Sequence, residues 1–168
     1  MRRFTGVMSR VTKSPLRRIA QGVGVFAALV ASLLLGSQPA FASSYWQEIS
    51  TNSNWHCGYT WQMGTQPSGV VAQTCIVANS SGWAQAVLVV SNNSGQTITI
   101  GGMVMSNMYL GTPHPCNSSL MHSGFQRGCL GPSNKNVGCN GLLLTAKSTV
   151  HVNGQPHDTA SVNYRHYC

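Results

Sequence analysis

Acidic side chains are almost missing from this chain: Glu48 and Asp158 are the only two in 168 residues. Hydrolysis by paired carboxylates therefore has a single pair to draw on. A Ser–His–Asp assembly around Asp158 rests on composition alone, because no G-x-S-x-G elbow accompanies the six histidines and many serines. Asp158, following Gln155-Pro156-His157, reads as a turn residue. No C-x-x-C pair is present, which argues against a zinc site. A helical period is lacking after residue 42, and no second apolar run reaches the roughly 18–20 residues needed to cross a bilayer.

Basic residues are plentiful only at one end. The formal net charge is +8, with Arg2, Arg3, Arg10, Lys13, Arg17 and Arg18 ahead of an apolar stretch from Ile19 to Leu35. Pro39-Ala40-Phe41-Ala42 follows, an A-x-A pattern. A basic start, an apolar centre and a small-residue exit read as a secretory signal over 1–42, cleaved after Ala42. From Ser43 onward Arg127, Lys135, Lys147 and Arg165 face two carboxylates, a net +2. The basicity belongs to the leader, so nucleic acid is not an expected partner, nor is a membrane once the leader is removed.

All six cysteines, Cys57, Cys75, Cys116, Cys129, Cys139 and Cys168, lie beyond the leader. An even count behind a secretory signal predicts a secreted, extracellular protein with three disulfides. Spacing alone allows 15 connectivities. Two strand-like segments, 55–63 and 70–78, flank a Gly- and Pro-containing turn over 64–69, and pairing them about Gln66 sets Cys57 opposite Cys75. Cys139 opens one strand and Cys168 ends another, which pairs them next and leaves Cys116 with Cys129.

Trp55, Cys57, Tyr59, Trp61 and Met63 alternate with His56, Gly58, Thr60 and Gln62, the period of a half-buried strand. Val70–Ala78 is rich in β-branched residues, and Val87-Leu88-Val89-Val90 suits a strand covered on both faces. Further strands are expected over 96–100, 103–105, 142–146, 149–152 and 160–168. Gly101-Gly102 marks a bulge or sharp bend, and Asn153-Gly154 a tight hairpin turn. The fold class that results is all-β: a disulfide-stabilised antiparallel β-sandwich over 55–168, with an N-terminal arm over 43–54 and one long cysteine-bearing loop over 106–140.

Three function classes follow. The first is a secreted, non-catalytic recognition or adaptor module, for instance a small subunit of a secreted toxin or adhesive assembly. Its Ser-, Thr-, Asn-, Gln- and Gly-rich surface suits a neutral partner, another exported or surface protein or a neutral glycan. Tyr45 and Trp46 in the arm, and Tyr109 and Phe125 in the loop with Leu110, Met121 and Leu130, are its candidate anchors. The alternative at these positions is packing: Tyr45 and Trp46 as a first strand, the loop residues as a satellite core. The second class is an extracytoplasmic copper-binding protein using Met103, Met105, Met108, His114, Met121 and His122, soft thioethers with imidazoles; against it, methionines commonly fill irregular core space. A secreted hydrolase is the third. No cofactor is expected for the first class. Asn79, Asn92 and Asn117 head N-x-S sequons.

Overall fold

A computed structural model describes residues 43–62, 67–135 and 137–168. The expected leader, the A-x-A exit and part of the 64–69 turn lie outside the described residues. What is described is built from β1 (Ser43–Glu48), β2 (Trp55–Cys57), β3 (Trp61–Gln62), β4 (Val70–Ala78), β5 (Ala84–Asn92), β6 (Ile98–Ser106), a 3-10 turn (Asn107–Tyr109), β7 (His114–Met121), β8 (Phe125–Leu130), β9 (Asn140–Val152), β10 (Gln155–Asp158) and β11 (Val162–Tyr167). They form two antiparallel sheets. Sheet A runs β1-β8-β5-β4-β2, with β3 also on β4; sheet B runs β10-β9-β6-β7, with β11 also on β9.

Period-two alternation decides which side chains lie between the sheets. Val70, Ala72, Ile76, Leu88 and Val90 from sheet A meet Ile98, Ile100, Val104, Leu144, Val150 and Val152 from sheet B in one core. At its centre sits a polar trio. The Thr74 hydroxyl lies against both Ser148 Oγ (3.0 Å) and Thr159 Oγ1, and Thr159 Oγ1 donates to the Ser148 carbonyl at 3.0 Å. All three residues are buried, and Thr74 and Ser148 belong to opposite sheets. A polar contact that can be satisfied in only one alignment of the sheets fixes that alignment.

The unbroken apolar run of β5 has its explanation on the other face of sheet A. Cys75, Val87 and Val89 form a second cluster there, covered by Ile49, Trp55, Val77 and Leu130. Ile49 and Trp55 bring part of that cover from either end of the segment joining β1 to β2. β1 and β2 stand at opposite edges of sheet A, four strand spacings apart, or about 19 Å. The segment 49–54 makes that crossing and closes with a turn, the Trp55 N–H donating to the Asn52 carbonyl at 3.1 Å. The expected arm over 43–54 is therefore corrected: 43–48 is an edge strand paired with β8, and the polar stretch after it is a crossover. The polar residues do not mark a free arm; Ile49 and Trp55 at either end supply the apolar contact.

The expected loop over 106–140 is a second correction. It contains the 3-10 turn and two strands, β7 on the edge of sheet B and β8 inside sheet A between β5 and β1. Ser, Asn and Pro conceal β7, whose burial alternates weakly. Pairing of β6 with β7 slips between Ile100 and Gly102, so Asn117 and Ser118 oppose Gly101. The bulge foreseen at the glycines is thus carried by the partner strand. Gly102 itself has φ 145°, and a Cβ there would lie 2.2 Å from the Thr149 carbonyl oxygen.

Three smaller differences complete the comparison. The strand read over 55–63 breaks after Cys57, and the register on β4 slips by one before Trp61, leaving Tyr59 exposed. Segments read as separate strands are continuous in β6 and β9, and Asp158 is a strand residue of β10 rather than a turn. The Asn153-Gly154 turn is as expected, with φ of 49° and 81° in the left-handed region that a type I′ hairpin requires.

The three disulfides are Cys57–Cys75, Cys116–Cys129 and Cys139–Cys168. The first ties β2 to β4 within sheet A, the second joins β7 of sheet B to β8 of sheet A, and the third ties the entrance of β9 to the exit of β11. Such a framework belongs to an oxidising environment. Among the described residues no helix is long and apolar enough to cross a membrane.

Replacing Gly102 with Ala should lower unfolding stability by about 2 kcal/mol or more, because the Cβ meets backbone that no rotamer can clear. Denaturant unfolding of the variant checks this; an unchanged midpoint would contradict the close approach of β6 and β9.

Candidate functional site

Strand β6 leaves sheet B at Ser106, and the next residues are shaped by side chains rather than by a ladder. The Ser106 hydroxyl caps the 3-10 turn by accepting from the Met108 N–H (3.2 Å) and donates to the Thr145 carbonyl (2.7 Å). Asn107 then stands in for a strand. Its Nδ2 donates to the Leu143 carbonyl at 2.9 Å, and its Oδ1 accepts from the Thr145 N–H at 2.9 Å. The ladder on β9 is continued by one amide while the backbone is freed to turn outward.

The turn ends at Leu110, with φ 60° and ψ 24°. A helix end of this kind normally places glycine in the left-handed conformation. Here the glycine comes one residue later, at Gly111, whose N–H closes the turn on the Ser106 carbonyl at 2.9 Å. Leu110 is also 97 % exposed. A leucine in this position is unfavourable for the fold in its backbone, and its exposed side chain returns no burial to offset that cost.

Leu110 overhangs an open cleft of about 550 Å³ on the outer face of sheet B. Ser106, Asn107, Thr145, Ser161 and Asn163 give the cleft hydroxyl and amide groups; Met105, Leu110 and Ala146 give it apolar surface; Lys147 is its one charged lining residue. Its floor is rigid, since β6, β9 and β11 are consecutive strands of one sheet.

The anchors read from the sequence divide by face. Alternation in β1 turns Trp46 toward the core, where it packs half-buried and its indole N–H donates to the Asn117 carbonyl at 2.8 Å, while Tyr45 is 71 % exposed. Tyr109 packs against the core, and burial pushes its hydroxyl well above the usual tyrosine range. Phe125 is 40 % exposed at the start of β8, with the Arg127 guanidinium 5.8 Å from its ring centroid. Leu130 and Met121 are packing residues. Only Leu110 of the loop set lines the cleft.

The methionine and histidine set for copper is not brought together, which corrects that grouping. Met103 and Met105 point to the outer face of sheet B, whereas Met108 and Met121 are in the core. His114 and Met121 stand at opposite ends of β7, about 20 Å apart at strand rise. His122 is exposed, and its Nδ1 lies 2.9 Å from Thr97 Oγ1. Alternation parts Met121 from His122, the 3-10 turn carries Met108 into the core away from Met103 and Met105, and the length of β7 parts His114 from Met121. The two carboxylates are separated as well. Glu48 lies on an edge strand of sheet A, and Asp158, on an edge strand of sheet B, accepts from Thr149 Oγ1 at 2.7 Å. Of the sequons, Asn92 is wholly buried with its amide committed to Gln96, Met121 and Ser94, while Asn79 uses its side-chain oxygen to close the β4–β5 turn.

A second polar cluster was not foreseen. His56 stacks on Tyr164 with ring centroids 3.5 Å apart, and Tyr164 meets His166 at 6.0 Å. Burial, with the neighbouring His166, holds the His56 imidazole below the ordinary histidine range. A strand over 160–168 was expected, and alternation puts Val162, Tyr164, His166 and Cys168 on one face of it, but the approach of β2 was not legible. Comparison with protein-family models and with curated proteins finds no match.

Replacing Leu110 with Gly should raise folding stability by about 0.5–1 kcal/mol, since glycine adopts the left-handed conformation without steric cost. Thermal or denaturant unfolding checks the sign. A clear loss of stability would mean that the Leu110 side chain supports the fold.

Proposed function

We propose that this protein is an exported, non-catalytic recognition module that docks a neutral, partly apolar segment of another exported protein at the Leu110 cleft. The observation that carries the reading is Leu110 itself, a large apolar side chain held almost fully in water on a backbone conformation that disfavours it. Local costs of this kind persist where they serve an interaction rather than the fold. The cleft beneath offers hydroxyls and amides with a single cation, which suits an uncharged strand or turn of a protein. Its described lining holds no aromatic ring, so a glycan would lack the usual stacking platform, and this favours protein over sugar.

Secretion of the module rests on the leader read over 1–42 and agrees with the three disulfides. The non-catalytic character rests on the scarcity of carboxylates and on their separation between two sheets. A small subunit of an exported assembly remains the natural setting, because the net charge of the body is low and offers little long-range steering. Recognition then depends on shape and hydrogen bonding at short range.

The test is capture from culture medium by immobilised protein, comparing the natural chain with Leu110→Gly and with Tyr45→Ser. Leu110→Gly should weaken capture of the same partner at least 30-fold, about 2 kcal/mol for a buried apolar anchor, while the variant stays folded. Tyr45→Ser should leave capture within twofold. Capture that survives Leu110→Gly but fails with Tyr45→Ser would move the interface to the edge of sheet A and overturn the assignment.

A further inference from the structure

Of the three disulfides only Cys139–Cys168 is exposed at both cysteines; Cys116 and Cys129 are both buried, and Cys75 is buried opposite Cys57. It is also the only one with an imidazole against it. His166 is 1 % exposed, its Nε2 lies 3.2 Å from Cys168 Sγ, and its Nδ1 is buried with no hydrogen-bond partner. A buried imidazole nitrogen without a hydrogen-bond partner costs free energy in the fold as it stands.

The strand geometry explains how the three groups meet. Alternation along β11 sends His166 and Cys168 to the same side. β9 carries one extra residue, Gly141, where pairing with β11 slips between His166 and Tyr167. Gly141 has φ 79°, the Tyr167 ring covers it, and Arg165 donates to its carbonyl at 3.2 Å. The bulge brings Cys139 back across to Cys168. The ligand atoms of Cys139, His166 and Cys168 all lie within 4.8 Å of one another, the only such trio of His, Cys, Asp or Glu among the described residues.

We infer that Cys139, Cys168 and His166 form a thiolate–imidazole site for a thiophilic divalent cation such as zinc, opened by reduction of their disulfide. Zinc–sulfur bonds of about 2.3 Å and zinc–nitrogen bonds of about 2.0 Å place tetrahedral ligand atoms roughly 3.5–4 Å apart. The observed trio therefore needs only side-chain rotation once the sulfurs are unlinked. Water completes the fourth position.

The reductant is a dithiol. Its thiolate attacks Cys139 Sγ, the Cys139–Cys168 bond breaks, and Cys168 departs as a thiolate that takes a proton from water. The second thiol of the reductant then displaces Cys139 from the mixed disulfide. Two electrons pass to the protein, and the reductant leaves as its own disulfide. Binding of the cation releases the two thiol protons to solvent. The strands stay in place, because β11 keeps its ladder on β9 from Val162 to His166 and two disulfides remain. This site is independent of the docking cleft.

The experiment is limited reduction of the purified protein with dithiothreitol under native conditions, mapping of the opened cysteines by alkylation, and titration with Co²⁺ as the probe. Cys139 and Cys168 should open first. The reduced, folded protein should bind one equivalent of Co²⁺ with thiolate-to-cobalt charge-transfer absorption, and the oxidised protein none. X-ray absorption of that adduct should show two sulfurs and an imidazole nitrogen, a readout that needs no variant. His166→Gln should weaken Co²⁺ at least tenfold, and Cys139→Ser with Cys168→Ser should abolish the charge-transfer band. The inference is overturned if another bridge opens first, if reduction unfolds the protein, if the folded dithiol shows no charge transfer, or if the adduct lacks the nitrogen.

Discussion

The passage from β7 to β8 changes sheet, and the Cys116–Cys129 bridge holds that change in place. β7 ends on the edge of sheet B, and a few residues later β8 lies between β5 and β1 in sheet A. With β8 seated, β1 has a ladder to join, Trp46 reaches the bulged carbonyl of Asn117, and Ile49 can settle over Gly128 and Val87. Without it, β1 and the crossover that covers sheet A lose their support together. The bridge spans only 13 positions, so its stabilisation through the unfolded chain is about 3 kcal/mol. Its larger role is positional: it ties the two sheets covalently, where the Thr74–Ser148–Thr159 trio, the Trp46–Asn117 bond and the Asn92–Met121 bond tie them through hydrogen bonds.

Much of this architecture was legible. Pairing about Gln66 placed Cys57 opposite Cys75, and the remaining two bridges followed from strand ends and elimination. β4 matched its expected bounds, and the apolar run of β5 correctly indicated cover on both faces. What failed to register did so for particular physical reasons. β7 is polar because one of its faces is open and its middle is bulged, so its residues read as loop. The 49–54 crossover is polar because it spans an already formed sheet and needs apolar contact only at Ile49 and Trp55. Alternation along β1 parts Tyr45 from Trp46, but nothing in the sequence says that Trp46 is the one turned inward.

The cleft was the least legible feature. Leu110 stood among the loop candidates, yet its left-handed backbone and the Asn107 amide pairing with β9 are tertiary facts. The sequence clue was an apolar residue directly before Gly111, where glycine would itself be the expected turn residue. Alternation along β11 puts His166 on the face of Cys168, but bringing Cys139 to the pair depends on the Gly141 bulge. Both places break local rules: an exposed leucine on a left-handed backbone, and a buried imidazole whose Nδ1 has no hydrogen-bond partner. Such local conflicts concentrate where a protein meets something other than itself.

Hydrogen–deuterium exchange of the protein, alone and with a partner captured from culture medium, tests the proposed docking face most directly. The account predicts slowed exchange confined to the outer face of sheet B around 105–111, 145–147 and 161–163. Protection instead along β1 and the 49–54 crossover, with the Leu110 turn unchanged, would contradict it.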